Sequence, residues 1–328
     1  MTRLQFGLGS LAATFSLFAW GAEPAQPAFH WKPVNDNSLG LWDGDKPVLV
    51  YNHGMIAREG VAERYNRACY VHPLYGLDGE VLTEDFPKDH YHHRGIFWAW
   101  PGMKVEGKNV QSWIPSGIYY KHEKWVRKEA TDKAAILEAE NGWYVGDKKV
   151  VKEALVITVH PAAKDSRAID FDLTWTALEV PVTLWGAAGK SYGGFNIRFA
   201  PNKDEPNANK RKDTAIITSK GPSKGKDLAD TRLEWADITG QVAGAPGRSG
   251  VAVFIAKDHP DYPPTWLTRH YGCLCIGWPG IKSKDLEPGK PVRCRYRVWV
   301  HRGEADLATL QTTYEEYLGR EGAAAGKQ

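Results

Sequence analysis

The chain has 328 residues, with 42 basic and 39 acidic side chains and a net charge of +3. That near-balance, with one short basic run at Lys210-Arg211-Lys212, excludes the electrostatic footprint of a nucleic-acid-binding surface. No phosphate-binding loop is present, and no later segment is apolar enough to span a bilayer.

The first 21 residues read as a secretory signal. Arg3 is the only charge before Glu23, Phe6 to Trp20 is an apolar run, and Ala19-Trp20-Gly21 offers small residues for cleavage. Residues 22–328 are then expected to form a single β-sandwich domain, exported to the periplasm or secreted. Cys69, Cys273, Cys275 and Cys294 are too few for a disulfide scaffold in a chain this long. Cys273 and Cys275 share one strand face, and either could pair with Cys294 on a neighbouring strand.

Period-two alternation dominates the chain. Val151, Glu153, Leu155, Ile157 and Val159 form one row, and Ile169, Phe171, Leu173 and Trp175 another. Near the end, Cys294, Tyr296, Val298 and Val300 oppose Arg293, Arg295, Arg297, Trp299 and His301. These are half-buried strands of antiparallel sheets. Short turns at Asp78-Gly79, Gly146-Asp147 and Pro288-Gly289 punctuate them. Helical spacing is convincing only from Asp306 to Leu318, through Leu307, Leu310, Tyr314 and Leu318. With 33 glycines, 20 prolines and no βα alternation, the expected fold is all-β, a large antiparallel β-sandwich with a short C-terminal helix.

Three segments carry candidate chemistry. Asp89 to Trp100 holds three of the 11 histidines, His90, His92 and His93, beside Arg94, Trp98 and Trp100. Imidazole exchanges protons near neutral pH, and indole faces suit the faces of sugar rings. Three histidines and a carboxylate could also hold zinc or iron, but no specific ligand spacing is present and no metal or other cofactor is expected. Ser191 to Arg198 places two glycines in a strand-like run that projects Asn196 and Arg198 from one face. Lys257 to Gly272 follows the apolar strand Val251 to Ala256 and carries Asp258, His259, Trp266, Arg269 and His270. Loops at strand ends are where sandwich proteins place ligand sites. The candidate catalytic residues are therefore His92, His93, Asp258 and His259. The candidate substrate-binding residues are His72, Arg94, Trp98, Trp100, Arg198, Trp266, Arg269 and His270.

The segment YVHPLYGLDGEVLTEDFPKDHYHHRGIFWAW, from Tyr70 to Trp100, closely resembles the signature of the PmoA-like bacterial family, whose domain function is unknown. GVAVFIAKDHPDYPPTWLTRHYG from Gly250 and LEPGKPVRCRYRVWVHRG from Leu286 resemble its later motifs. The family's name suggests methane oxidation, yet this chain lacks the membrane helices that a particulate monooxygenase subunit needs. The resemblance implies an association with exported carbohydrate-degrading systems, and the closing strand pattern resembles galactose-mutarotase-type supersandwiches. The expected function is a carbohydrate-active enzyme of hydrolase, lyase or epimerase type acting on a small-molecule or oligosaccharide substrate. Alternatives are a non-catalytic carbohydrate-binding protein and a metal-dependent oxygenase or hydrolase.

Overall fold

The computed structural model describes residues 28–200 and 213–325. The expected leader, the basic run at Lys210 and the polar stretch from Pro201 up to it lie outside the described residues. Among the described residues every pairing between named strands is antiparallel, and the strands make three sheets.

The first sheet runs, in spatial order, β1 (Phe29–Asn35), β2 (Ser38–Asp43), β3 (Lys46–Asn52), β4 (Tyr70–Leu74), β5 (Ile96–Ala99), β13 (Gly194–Arg198), β20 (Cys273–Gly277), β19 (Thr265–Arg269) and β16 (Thr231–Arg232). The second runs β15 (Gly221–Pro222), β14 (Ala215–Thr218), β17 (Trp235–Gln241), β18 (Arg248–Ile255), β22 (Val292–Arg302), β11 (Ser166–Ala177), β10 (Lys148–Val159), β9 (Ala135–Val145) and β8 (Tyr119–Ala130). A small third sheet holds β21 (Lys284–Leu286), β12 (Val182–Trp185), β6 (Gly102–Val105) and β7 (Lys108–Val110).

The alternating rows do what their pattern predicts. Leu155, Ile157, Phe171, Leu173, Tyr296 and Val298 of the second sheet are buried against Ile96, Trp98, Phe195, Ile197, Leu274 and Ile276 of the first. The architecture is thus an all-β sandwich. Glu153 sits in the same inward row, fully buried. Its Oε2 accepts hydrogen bonds from the indoles of Trp98 (2.7 Å), Trp143 (2.9 Å) and Trp175 (2.9 Å), and its Oε1 accepts one from Asn141 Nδ2 (2.8 Å). Burial raises its pKa, while the four donors act the other way.

The helix α1 (Leu307–Ala325) extends beyond the Leu318 boundary that the apolar spacing predicts. Asp306 caps it by accepting the Thr309 N–H at 2.7 Å. Leu310, Tyr314 and Tyr317 pack on Trp235, Ala252 and Phe254, on the outer face of the second sheet. Leu307 is exposed, at the edge of the stripe. No helix among the described residues is long and apolar enough to cross a membrane.

The four cysteines are buried and unbridged. A bond from Cys273 or Cys275 to Cys294 is corrected by the geometry: Cys294 faces the core from β22, whereas the other two point out of the far side of the first sheet.

A buried ion pair lies within the second sheet. His301 Nε2 is 2.9 Å from Asp237 Oδ1, and Thr239 Oγ1 donates to Asp237 Oδ2 at 2.9 Å. Burial alone would lower the imidazole's pKa, but the adjacent carboxylate outweighs it and raises it. A histidine raised by folding adds stability that is full below its unfolded value, near 6.5, and is lost as pH rises through the folded value. Asp237→Asn is therefore expected to cost about 3 kcal/mol at pH 6 and clearly less at pH 9. Urea unfolding at the two pH values checks it; an equal loss at both would assign the pair a purely packing role.

Over β4, β5, β19 and β20 the outer face of the first sheet is largely covered. Tyr70, Phe97, Ala99, Trp113, Leu267, Cys273 and Cys275 form a second apolar cluster there, with Ile56, Tyr192 and Tyr271 packed on it. The segments that cover this face carry the site.

Candidate functional site

Three neighbouring strands supply the floor. In β13, β19 and β20, Phe195, Ile197, Trp266, Leu274 and Ile276 point into the core, so strand alternation sends Arg198, Leu267, Arg269, Cys273 and Cys275 outward. The segment from Glu84 to Gly95 folds back over this face. It is tied to β13 by backbone bonds from Glu84 N to Arg198 O (2.9 Å) and from Arg198 N to Gly95 O (2.7 Å). Gly95 has φ +42°, and a Cβ there would lie 2.1 Å from the Val71 carbonyl, so only glycine lets the segment approach this closely.

Arg198 joins the segment to the sheet. Its side chain is fully buried; Nε donates to Glu84 Oε2 (2.9 Å) and Nη2 to both oxygens of Asp89 (2.9 Å each). Its guanidinium lies 4.7 Å from the Tyr271 ring centre. Nη1 approaches His93 Nδ1 at 3.3 Å. Arginine can only donate, so His93 Nδ1 accepts and the ring proton sits on Nε2.

Asp89 also lies 2.8 Å from His90 Nδ1. Burial alone would raise Asp89, but the hydrogen bonds and charge of His90 and Arg198 outweigh it and hold the carboxyl well below its usual range. The His90 ring is parallel to His93 (4.7 Å) and to Tyr271 (5.5 Å), and His92 meets His93 edge-on at 4.6 Å. Burial, then the neighbouring positive groups, pushes His92 down to about 3 and His93 well below its ordinary value. Both are neutral at neutral pH. His93, with Nδ1 engaged by Arg198, presents only its Nε2–H, and neither ring is a ready proton acceptor at that pH.

These groups open on a cavity with about 420 Å³ of empty space, part of it continuous with solvent. His90, His92, His93, Arg269 and Lys190 supply its polar lining, and Trp113, Tyr192, Tyr271 and Leu267 its apolar walls. Cys273 and Cys275 complete it, with their sulfurs 3.2 Å apart. Among the described residues no carboxylate lines it. Among the described residues no three His, Cys, Asp or Glu side chains converge in a way that could hold a metal ion.

Of the residues singled out from sequence, His92, His93 and Arg269 meet in this cavity, with Arg198 bonded to His93 beneath it. The others are placed elsewhere. Arg94 is fully buried over the Phe86 ring and ion-pairs with Asp85. Trp98 and Trp100 point into the core, toward Glu153 and the Trp278 carbonyl. Trp266 is also in the core, its indole bonded to Leu233 O at 2.9 Å. His72 bonds Thr83 Oγ1 at 3.0 Å. His270 bonds Ser223 Oγ (3.1 Å) and Asp227 (2.8 Å). Asp258 pairs with Arg295 at 2.8 Å, and the buried His259 fastens a turn, accepting the Asp261 N–H (3.2 Å) and facing the Tyr296 hydroxyl (3.3 Å).

The sequence reading placed Asp89 and His90 in the histidine cluster without naming them among the catalytic or binding residues, and gave no role to Trp113, Lys190, Tyr192 or Tyr271. The adjacent Asp89-His90 was the available signal; the rest meet only through folding. No Gly-x-Ser-x-Gly elbow was expected, yet Gly189-Lys190-Ser191-Tyr192-Gly193 has that spacing. Ser191 has φ +55°, but it is fully buried with no partner on Oγ, and a strand rather than a helix follows. It has no base and no access.

Residues 39–315 match the model of a family of unknown function, DUF6807. The chain belongs to that family. A search of curated proteins finds no match for this DUF6807 member. Among solved structures it is similar to heparan sulfate lyase HepC from Pedobacter heparinus, at 10% identity and TM-score 0.36, over 85% of this chain and 37% of the lyase. It thus spans little more than a third of that enzyme's length. A galactose mutarotase related enzyme from Lactobacillus acidophilus matches at 10% identity and TM-score 0.33, covering 85% of this chain and 99% of the other. A GalM/aldose epimerase homologue from C. elegans matches at 8% identity and TM-score 0.32, covering 84% and 100%. At such scores the function of the DUF6807 chain has to be argued from its own site.

Proposed function

We propose that this protein is an exported carbohydrate-active enzyme that moves a proton on a sugar, in a reaction of epimerase or lyase type. One observation carries the reading: His90 stands at a ring-sized cavity, oriented by Asp89, whose carboxylate is in turn held by the buried Arg198. A carboxylate on Nδ1 fixes the tautomer and steadies the imidazolium that forms when Nε2 takes a proton. The neutral His92 and His93 beside it add hydrogen-bonding capacity without a competing charge.

Trp113, Tyr192 and Tyr271 offer apolar faces to a ring, and Arg269 offers donors to vicinal or anionic oxygens. Burial raises the Tyr271 hydroxyl's pKa, so it keeps its proton and offers a sugar oxygen a neutral hydrogen-bond donor. Glycoside hydrolysis of the usual kind needs two carboxylates flanking the bond, and the described residues of this cavity's lining include none. Proton abstraction by His90 is the chemistry these residues suit. The likeness of the Tyr70–Trp100 motif to the PmoA-like family fits an exported sugar enzyme and adds no reaction of its own.

Incubation with a panel of glycans tests the reading. Wild-type protein should exchange a ring-carbon proton with deuterated solvent or form an unsaturated sugar. His90→Gln should lower turnover by about a hundredfold or more while the protein stays folded. A folded His90→Gln protein with wild-type turnover defeats the assignment. Tight sugar binding by the wild type with no product would favour a non-catalytic binding protein.

A further inference from the structure

We propose that the ligand is a polyanionic polysaccharide that reaches from the histidine cavity, over the crossing of residues 186–193, to a second cleft beside Trp278. The proposal deepens the sugar reading and rests on it for the ligand class. In the hairpin Arg269 stands opposite Cys273, Leu267 opposite Cys275, and Thr265 opposite Gly277. Alternate residues share a face, so all six lie on one side. Arg269, Leu267, Cys273 and Cys275 line the histidine cavity, whereas Thr265 lines the second cleft. From Arg269 to Thr265 is about 13 Å at the rise of a strand, within the reach of an oligomer of a few sugar rings.

The backbone of residues 186–193 crosses between the two depressions. Gly186 N donates to Gly280 O (2.7 Å) and Trp278 N to Gly193 O (2.8 Å). A Cβ at Gly277 would lie 2.0 Å from the Ser191 carbonyl, so glycine is needed for the crossing to seat. Lys190 stands on this crossing, exposed, and reaches the histidine cavity.

Charge selects the ligand. Among the described residues the histidine cavity is lined by two permanent cations, Lys190 and Arg269, and no acid; Asp227 lies outside it, 3.8 Å from Arg269. The second cleft has Arg232, Lys282 and Lys284 against Asp230 and Asp261, and Arg232 occupies Asp261 at 3.1 Å. Lys282 and Lys284 are exposed, and the cleft's empty space, about 1310 Å³, is roughly three times that of the histidine cavity. A neutral glycan would use the aromatic walls and gain nothing from the charge of Lys282, or of Lys284, which stands 5.9 Å from the Trp278 ring centre. A sugar chain bearing repeated anionic groups uses both.

Affinity electrophoresis through gels containing polygalacturonate, heparin, dextran or single-stranded DNA reads this directly. The wild-type protein should be retarded by a polyanionic polysaccharide, not by dextran, and less so as salt rises. Lys282→Glu/Lys284→Glu should weaken that retention at least tenfold. The charge-matched Lys133→Glu/Lys164→Glu, in turns of the second sheet, should leave it within twofold. No retention by either polysaccharide polyanion, equal retention by dextran or DNA, or equal loss in the two double variants overturns the proposal. The functional reading fails separately. Retention by the wild type with no turnover sinks the enzyme and leaves the groove, while turnover of neutral sugars without retention sinks the groove and leaves the enzyme.

Discussion

Replacing Glu153 by leucine is expected to lower the unfolding free energy by roughly 4–12 kcal/mol, because four buried donors lose their acceptor at about 1–3 kcal/mol each. Three of those donors are indole N–H groups from Trp98, Trp143 and Trp175, and the fourth is the Asn141 amide. Leucine fills part of the volume but accepts nothing, and no solvent reaches these groups to substitute. Glu153→Gln separates hydrogen bonding from charge. Its oxygen must face the three indoles, which turns its NH₂ toward Asn141. Asn141 can flip its own amide to accept it, which requires a new partner arrangement at Tyr51 and His122, both hydrogen-bonded to Asn141. The glutamine variant should therefore lose only about 1–2 kcal/mol. Urea unfolding followed by tryptophan fluorescence checks both, since the reporting indoles are those that bind the carboxylate. A leucine variant as stable as the wild type would mean that burying the uncompensated carboxylate costs as much as its hydrogen bonds return.

The second large effect is acid lability that begins above the carboxylate range. His92 and His259 are pushed down to about 3, and His93 well below its ordinary value, each first by burial. In the unfolded chain each takes a proton below about 6.5, so the unfolded state binds more protons throughout the window between 6.5 and 3. Stability therefore falls as pH falls through that window, by up to about 1.4 kcal/mol per pH unit for each histidine. Together the three give a limiting slope of about 4 kcal/mol per pH unit, reduced where the partly exposed His92 is screened. The urea midpoint should drop steeply from pH 6.5 to 4.5. His259→Asn, which removes the titrating group, should flatten the slope by about one third. A midpoint that stays level until the carboxylates titrate would show that these imidazoles reach solvent.

The sandwich was legible because one row of each central strand is apolar and the other polar. Ile169, Phe171, Leu173 and Trp175 alternate with Asp170, Asp172 and Thr174, so the core side is unambiguous. In β5 that logic fails. Ile96 and Trp98 face the core while Phe97 and Ala99 face outward, and both rows are apolar because covering segments bury the outer side too. Nothing local says which row is inside, and so Trp98 and Trp266 read as ligand platforms when they are core. The histidine cluster was legible as a concentration of imidazoles. Its partners Tyr271, Lys190 and Trp113 were not, because each comes from a different segment and only the folded sheet makes them neighbours. Asp258 and His259 looked like chemistry for the opposite reason. Asp258 pairs with Arg295 and His259 secures a turn, and a turn-forming histidine has no sequence mark that sets it apart from a reactive one.

The clasp made by Arg198 also determines how the site can breathe. To swing the histidine segment away, a buried guanidinium must separate from Glu84 and Asp89 at once. Breaking such a pair costs about 3–5 kcal/mol, so fewer than about one molecule in a hundred has that wall detached at any moment. Visitors to the cavity consequently meet an imidazole wall already in place, and their traffic runs past the exposed Lys190 on the opposite rim.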